Sequence, residues 1–253
     1  MKRIVIPISG GKDSQACLKL ALQSYQPNEI LGLFCDTQFE HPLTYAHIDT
    51  MRTLYGVQIE RITAGSVPEK VRKYQRFPGG GARHCTDELK IVPSKKFYKA
   101  LAESQGGFEV WYGMRSAESN DRKIRYANKI NGELYAPNDI LNKYPKYLEK
   151  LGVMFRLPVL DFSTAEIFNL LGGDWNPLYD QGFDRVGCFP CLASGDRWKE
   201  KAFAHDDFGV SQRAIVMQLS REIGHSVFTS QGGNSRNNEN QSDLFKGCAI
   251  CQI

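Results

Sequence analysis

Ser9-Gly10-Gly11-Lys12-Asp13-Ser14 follows the β-branched run Arg3–Ile8 and opens a stretch, Asp13 to Ser24, whose apolar positions are Ala16, Leu18, Leu20, Ala21 and Leu22. The run predicts a buried strand, the glycines break it, and the periodic stretch predicts a helix. A glycine turn between strand and helix suits an anion. The backbone can approach a phosphate closely, and the free N–H groups and dipole of the helix start favour negative charge. Lys12 adds a compact cation, and Ser9 and Ser14 add hydroxyl donors. The spacing differs from the Gly-x-x-x-x-Gly-Lys-Ser/Thr loop of kinase-like NTPases. The competing reading is a glycine turn that holds no ligand.

Outward from this turn, strands and helices alternate. Strands are predicted at Ile30–Phe34, Val57–Ile62 and Phe108–Tyr112. Helices are predicted at Thr44–Tyr55 and at Thr86–Ala102, with Pro93 as a kink, and Pro78-Gly79-Gly80-Gly81 reads as a loop. This alternation predicts an α/β fold with a doubly wound, mostly parallel sheet, whose ligands bind beyond the carboxyl ends of the strands where strand order reverses. After Gly113 the pattern loosens. Ser163-Thr164-Ala165-Glu166 has capping-box spacing and starts a helix through Leu171. Residues 174–198 read as loop, Ser211–Ile223 as helix, and 230–243 as a polar linker. The expected division is a nucleotide-binding α/β domain over 1–173 and a smaller cysteine-containing region over 174–253.

The chain has 253 residues, 42% hydrophobic and 24% charged, which is ordinary globular usage and argues against a disordered or fibrous protein. No apolar run approaches the roughly 20 residues of a membrane helix. Met1-Lys2-Arg3 leads only into the short stretch Ile4–Ser9, too short for a signal-peptide core, so a cytoplasmic location without membrane association is expected. The formal net charge is +4, but residues 70–99 carry nine Lys/Arg against two Asp/Glu. That segment is either a surface for a polyanion or a solvated helix face.

Seven cysteines are present: Cys17, Cys35, Cys85, Cys188, Cys191, Cys248 and Cys251. In a reducing compartment structural disulfides are disfavoured, and the two Cys-x-x-Cys pairs point to metal or redox chemistry. Four such sulfurs hold either tetrahedral zinc or an iron–sulfur cubane. Cys17 and Cys35 read as small buried hydrophobes. The tail pair Cys248 and Cys251 reads as cluster or zinc ligands, as a nucleophile or persulfide carrier, or as incidental. The histidines lack metal-ligand spacing, and His84 reads as a solvent-facing loop residue, with tuning of a cluster beside Cys85 as the alternative.

Several of these segments resemble the PAPS reductase family within the adenine-nucleotide α-hydrolase superfamily. Ser9–Ser14 looks like the superfamily's pyrophosphate loop. Cys35-Asp36-Thr37 resembles the family's Asp-Thr-Gly segment, with Gln38 where glycine is usual. Arg83-His84-Cys85 with Leu89-Lys90-Ile91-Val92-Pro93 resembles its Cys-x-x-x-Leu-Lys-x-x-Pro element. Gly113-Met114-Arg115 with Glu118-Ser119 and Arg122 resembles its Gly-x-Arg-x-x-Glu-Ser-x-x-Arg element. Asn176-Pro177-Leu178-Tyr179, Gly182 and Val186-Gly187-Cys188-Phe189-Pro190-Cys191 resemble its late segments.

The resemblance implies an ATP pyrophosphatase that cleaves ATP between the α and β phosphates and adenylates a substrate, with Mg²⁺ bridging the leaving phosphates. It implies catalytic roles for Lys12, Asp13 and Arg115. Nucleotide contacts are expected from Ser9, Gly10, Gly11, Lys12, Asp13, Ser14, Asp36, Thr37, Gly113, Arg115, Glu118 and Arg122. A [4Fe–4S] cluster, with Zn²⁺ as the alternative, is expected on Cys85, Cys188 and Cys191, completed by Cys248 or Cys251 or by an open iron that binds sulfide. His84-Cys85 stands where the iron–sulfur reductases carry a Cys-Cys pair. True sulfonucleotide reductases carry a degenerate loop, and this chain keeps Gly-Gly-Lys-Asp intact, which favours ATP use. The leading expectation is therefore sulfur transfer, as in the DNA-phosphorothioation sulfurtransferases, with a nucleic-acid acceptor and a sulfur donor such as a cysteine desulfurase. The alternatives are a thioredoxin-dependent PAPS or APS reductase and a non-catalytic nucleotide- and redox-sensing subunit.

Overall fold

The computed structural model describes residues 1–79 and 83–228. Cys248, Cys251, the polar linker and part of the 78–81 loop lie outside the described residues. The strands are β1 (Ile4–Ile8), β2 (Ile30–Asp36), β3 (Gln58–Thr63), β4 (Glu109–Trp111), β5 (Leu134–Tyr135) and β6 (Met154–Arg156). The helices are α1 (Lys12–Ala21), α2 (Pro42–Tyr55), α3 (Val67–Tyr74), α4 (His84–Thr86), α5 (Val92–Gln105), α6 (Asn120–Arg125), α7 (Pro137–Ile140), α8 (Tyr147–Lys150), α9 (Thr164–Leu171), α10 (Asp196–Phe203) and α11 (Asp207–Ile223). The sheet order is β3-β2-β1-β4-β6-β5, parallel except for β5 against β6. The α/β, mostly parallel sheet read from the sequence is thus present.

Strand periodicity explains the two apolar layers. Ile4, Ile6 and Ile8 face Ala16 and Leu18 of α1 and Ile167 and Leu171 of α9. Val5 points the other way, with Leu31, Leu33 and Val110, onto Tyr98 and Ala102 of α5. A third apolar cluster joins Val67 and Val71 of α3 to Val216 and Leu219 of α11 through Phe39, Leu89 and Leu192.

Local chemistry sets the helix ends. Pro42 opens α2 behind an N-cap in which the His41 ring accepts from Leu43 N–H, and Gly56 closes it in the left-handed region. The capping box predicted for α9 forms, with Ser163 Oγ accepting from Glu166 N–H and the Glu166 carboxylate accepting from Ser163 N–H. The helix predicted over 86–102 is longer and interrupted: Asp87–Ile91 is a π-turn between α4 and α5. Pro93 stands just beyond that π-turn, at the point where the helical ladder changes from π to α. Strands β5 and β6 lie where the sequence pattern loosens, and α10 begins at the end of the stretch read as loop. Among the described residues no helix is long and apolar enough to cross a membrane.

Candidate functional site

Strand order reverses beside β1, which pairs β2 on one edge and β4 on the other. The loops leaving β1 and β4 therefore meet over the carboxyl end of the sheet. At this meeting point glycine is required twice. Gly10 has φ +73° and a Cβ there would lie 2.5 Å from Thr44 Cγ2. A Cβ on Gly113 would lie 2.6 Å from the Asp13 carbonyl carbon, so only glycine lets the β4 loop pack on the start of α1.

The loop is held by its own serines. Ser14 Oγ donates to the Gly11 carbonyl at 2.9 Å, and Ser9 Oγ accepts from Gly11 N–H at 3.4 Å. Lys12 and Asp13 are buried. Arg115, buried as well, donates through Nε to Asp13 Oδ1 at 2.6 Å and through Nη1 to Phe162 O and Thr164 Oγ1, each at 3.3 Å. The amino end of α9 thus orients the guanidinium. Lys12 Nζ lies 3.5 Å from Asp13 Oδ2. Burial lowers the pKa of Lys12; Asp13 opposes this, while Arg115 and Arg185 add to it. Arg122 is buried and pairs with Glu118 one turn earlier. Burial, with the charge of Arg185, draws its pKa down too. Lys12, Arg115, Arg122 and Arg185 form one cationic group around the start of α1.

A second segment, 176–191, straps this loop. Asn176 Nδ2 donates to Gly10 O at 3.2 Å and Tyr179 Oη accepts from Lys12 N–H at 2.9 Å. Lys12 Nζ donates to Asp184 O at 3.4 Å. The segment then walls a cavity of about 120 Å³ bordered by Cys85, Cys188 and Cys191, with Thr37, Lys90 and Arg185. Phe189 N–H donates to Phe39 O at 2.7 Å, and Thr37 Oγ1 lies 3.3 Å from Cys188 Sγ. Burial pushes the Cys188 and Cys85 thiols up. Burial alone would lower Lys90, but Cys188, Glu40, Cys85 and Cys35 around it outweigh that and raise it.

A sequence profile described as the phosphoadenosine phosphosulfate reductase domain matches residues 3–194. The chain belongs to that family. Among curated relatives, an uncharacterised protein of Methanocaldococcus jannaschii is 29% identical over 76% of this chain and 36% of its own length. An uncharacterised protein of Escherichia phage 186 is 26% identical over 95% of this chain and 83% of its own. A phosphoadenosine 5'-phosphosulfate reductase of Aliivibrio salmonicida is 26% identical over 71% of this chain and 65% of its own. The chain spans about a third of the archaeal relative and just under two thirds of the Aliivibrio enzyme. Among solved structures, a Candida auris phosphoadenylyl-sulfate reductase in a phosphate complex has a TM-score of 0.49 at 15% identity, over 75% of this chain and 83% of that one.

Of the residues expected at the site of this PAPS reductase family member, Ser9 to Ser14, Gly113, Arg115, Glu118 and Arg122 gather around the start of α1. Cys85, Cys188, Cys191 and Thr37 gather at the cavity. Asp36 stands apart, already engaged. Arg61 donates to it through Nε at 3.0 Å and Nη2 at 2.6 Å, and Tyr45 Oη and Gln38 N–H donate at 2.8 Å each. Burial would raise its pKa, but the Arg61 guanidinium and these donors hold it below the usual carboxylate range. Gln38 has φ +55°, a left-handed backbone that explains why glycine suits this family position.

His84 departs from its expected exposure: it is 6% exposed and stacks on Tyr74 at 4.6 Å, because α4 turns it inward against α3. Cys17 and Cys35 are buried, as expected. Sequence reasoning missed Arg185 and Arg61 and gave no role to Tyr179 or Lys90. Tyr179 and Lys90 lay inside quoted motifs. Arg185 sits in an irregular loop, where no periodicity singles out a charge.

Proposed function

We propose that this protein binds ATP at Ser9–Ser14, adenylates an acceptor and supports iron–sulfur-dependent sulfur transfer. The observation that carries the reading is an intact glycine phosphate loop, ringed by Lys12, Arg115, Arg122 and Arg185, that shares a wall with a cavity bearing three cysteines. In the proposed step an acceptor oxygen attacks the α-phosphorus, the bond to the bridging oxygen breaks, and pyrophosphate leaves with the electron pair. The four cations sit where they offset charge gathering on that leaving group. The Gly11 amide adds a donor and the α1 dipole adds positive potential. The nucleotide half falls within 1–173, and the segment after residue 173 brings Arg185, Cys188 and Cys191 to it.

The donor set bears on the expected cofactors. Asp13 is paired with Arg115, Asp36 with Arg61 and Glu118 with Arg122. Mg²⁺ would therefore rest on the nucleotide phosphates rather than on a free carboxylate of this loop. Among the described residues, no three His, Cys, Asp or Glu side chains group closely enough to hold one metal ion. Cys85, Cys188 and Cys191 instead line one common cavity, which leaves room for a multi-atom cluster. These three would hold a [4Fe–4S] cluster, with Cys248 or Cys251 as a candidate fourth ligand. Bound there, the group would supply redox capacity or an iron open to sulfide.

The test is one anaerobic preparation. Iron and acid-labile sulfide should be present, and ATP with a nucleophilic acceptor should yield pyrophosphate. A colourless protein with a single zinc overturns the cluster. A second reading, reduction of a sulfonucleotide, is favoured by the named reductases among the relatives. Sulfite release from PAPS, without pyrophosphate release from ATP, would select it.

The basic 70–99 segment lends a nucleic-acid acceptor little support. Lys70 and Lys73 pair with Glu88, Arg72 with Glu222 and Lys99 with Glu103, and Lys90 is buried. A sulfur donor such as a cysteine desulfurase remains part of the proposal, tested by sulfur transfer from a desulfurase persulfide.

A further inference from the structure

We infer that Tyr179 is a phosphate-contacting residue through which nucleotide binding repositions the cysteine cavity, an inference that rests on the nucleotide reading above. The phenol lies against the glycine of the loop: an ideal Cβ on Gly11 would be 3.3 Å from Tyr179 Oη and 3.3 Å from Val186 O. The hydroxyl accepts from Lys12 N–H at 2.9 Å, while among the described residues its own proton goes to no acceptor. Burial pushes the phenol up, so that proton is retained at neutral pH. A phosphate oxygen seated on the first amides of α1 competes for Lys12 N–H, because both are acceptors there. The phenol then becomes a donor, and its free proton is the one the anion lacks. Lys12 Nζ undergoes a parallel exchange, leaving the Asp184 carbonyl at 3.4 Å for the phosphate.

Both contacts broken in this exchange belong to the segment that carries two of the three cavity thiols, Cys188 and Cys191. From Tyr179 it runs through Asp184 and Arg185 to Val186, Gly187 and Cys188, these last five all on the cavity wall. Beyond them it is pinned to the loop after β2 by Phe189 N–H on Phe39 O and by the bridge between Glu40 and Cys188. A shift at Tyr179 and Asp184 is therefore taken up in residues 183–191, between two anchored ends.

Hydrogen–deuterium exchange of residues 183–191, with and without inorganic pyrophosphate, tests this in the holoprotein beside calorimetric titration of the same ligand. Saturating pyrophosphate should change uptake in 183–191 of the wild type. Tyr179→Phe keeps the ring and removes the proton. It should weaken pyrophosphate about tenfold, in line with the loss of one hydrogen bond to a charged group, and erase the 183–191 response at concentrations that saturate both proteins. A merely structural tyrosine would alter uptake of the free protein and leave that response in place. Wild-type affinity and response in Tyr179→Phe overturn the inference while the nucleotide reading stands. An absence of pyrophosphate and ATP binding in the wild type overturns both. Should the variant unfold, seen as raised uptake in β1, the wild-type arm decides alone: an unchanged 183–191 at saturation overturns the inference.

Discussion

At the residue scale the phosphate loop concentrates cost and use in the same side chains. Burying an ammonium and two guanidinium groups is expensive unless each finds a partner. Asp13 serves Arg115 and Lys12, and Glu118 serves Arg122. Arg185 adds like charge to Lys12 and Arg122, so an anionic ligand would relieve repulsion already present. Lys12→Ala should accordingly leave the fold intact and cut pyrophosphate release by about 100-fold or more. Unchanged release, in a sample whose circular dichroism matches the wild type, would defeat the loop assignment. His47 offers a separate check on burial. Burial pulls its pKa from 6.5 to about 4, with Asp174 opposing, and its Nε2 meets Gln15 Oε1 at 2.9 Å. The unfolded chain takes the proton first, so this contribution is complete above about pH 6.5 and drains away as pH falls toward 4. Urea melts should show about 2 kcal/mol lost to this group between pH 7 and pH 5, and His47→Gln should lack that share of the slope.

Element by element, what the sequence reveals depends on how local the cause is. β1 and α1 are legible because the β-branched run, the glycines and the apolar spacing lie within residues 3–24. The α9 cap is legible for the same reason. β5 and β6 are only two and three residues long, too short to display a period, and β6 becomes a strand by pairing β4. Arg61 reaches Asp36 only because β3 lies in register beside β2. That pairing joins two residues 25 positions apart in sequence, so no local pattern announces it. The cap of α9 matters beyond its own helix, since Thr164 and Phe162 hold Arg115. Ser163→Ala should cost about 1 kcal/mol, a fall of roughly 2–4 °C in thermal midpoint for a chain of this size. It should also weaken ATP binding, because the start of α9 frays where the guanidinium rests. A thermal shift without change in ATP affinity would show that the contact does not steer Arg115.

At the scale of the whole molecule, charge and topology act differently from their sequence appearance. The basic run over 70–99 reads as a patch, yet its own Glu88 pairs with Lys70 and Lys73, Glu103 one turn on pairs with Lys99, and folding brings Glu222 onto Arg72. Glu222 comes from α11, far along the chain, which composition in a window does not register. The proposed ligand site has the opposite character: most of its parts, Arg185 excepted, stand in motifs legible in the sequence, and folding brings them together. The amide donors come from the β1–α1 turn, Arg115 from the loop after β4, its support from α9, and Tyr179 and Arg185 from the strap over 176–191. A ligand touching all of these should bind the folded chain and not the unfolded one, so its binding energy adds to stability. ATP or pyrophosphate at about 100 times its dissociation constant should contribute about 2.7 kcal/mol, raising the thermal midpoint by roughly 5–10 °C. Lys12→Ala should lose most of that rise, whereas His47→Gln, on α2 and bonded to Gln15 rather than to the loop residues, should keep it. Equal shifts in both variants would mean that the anion settles somewhere other than the turn between β1 and α1.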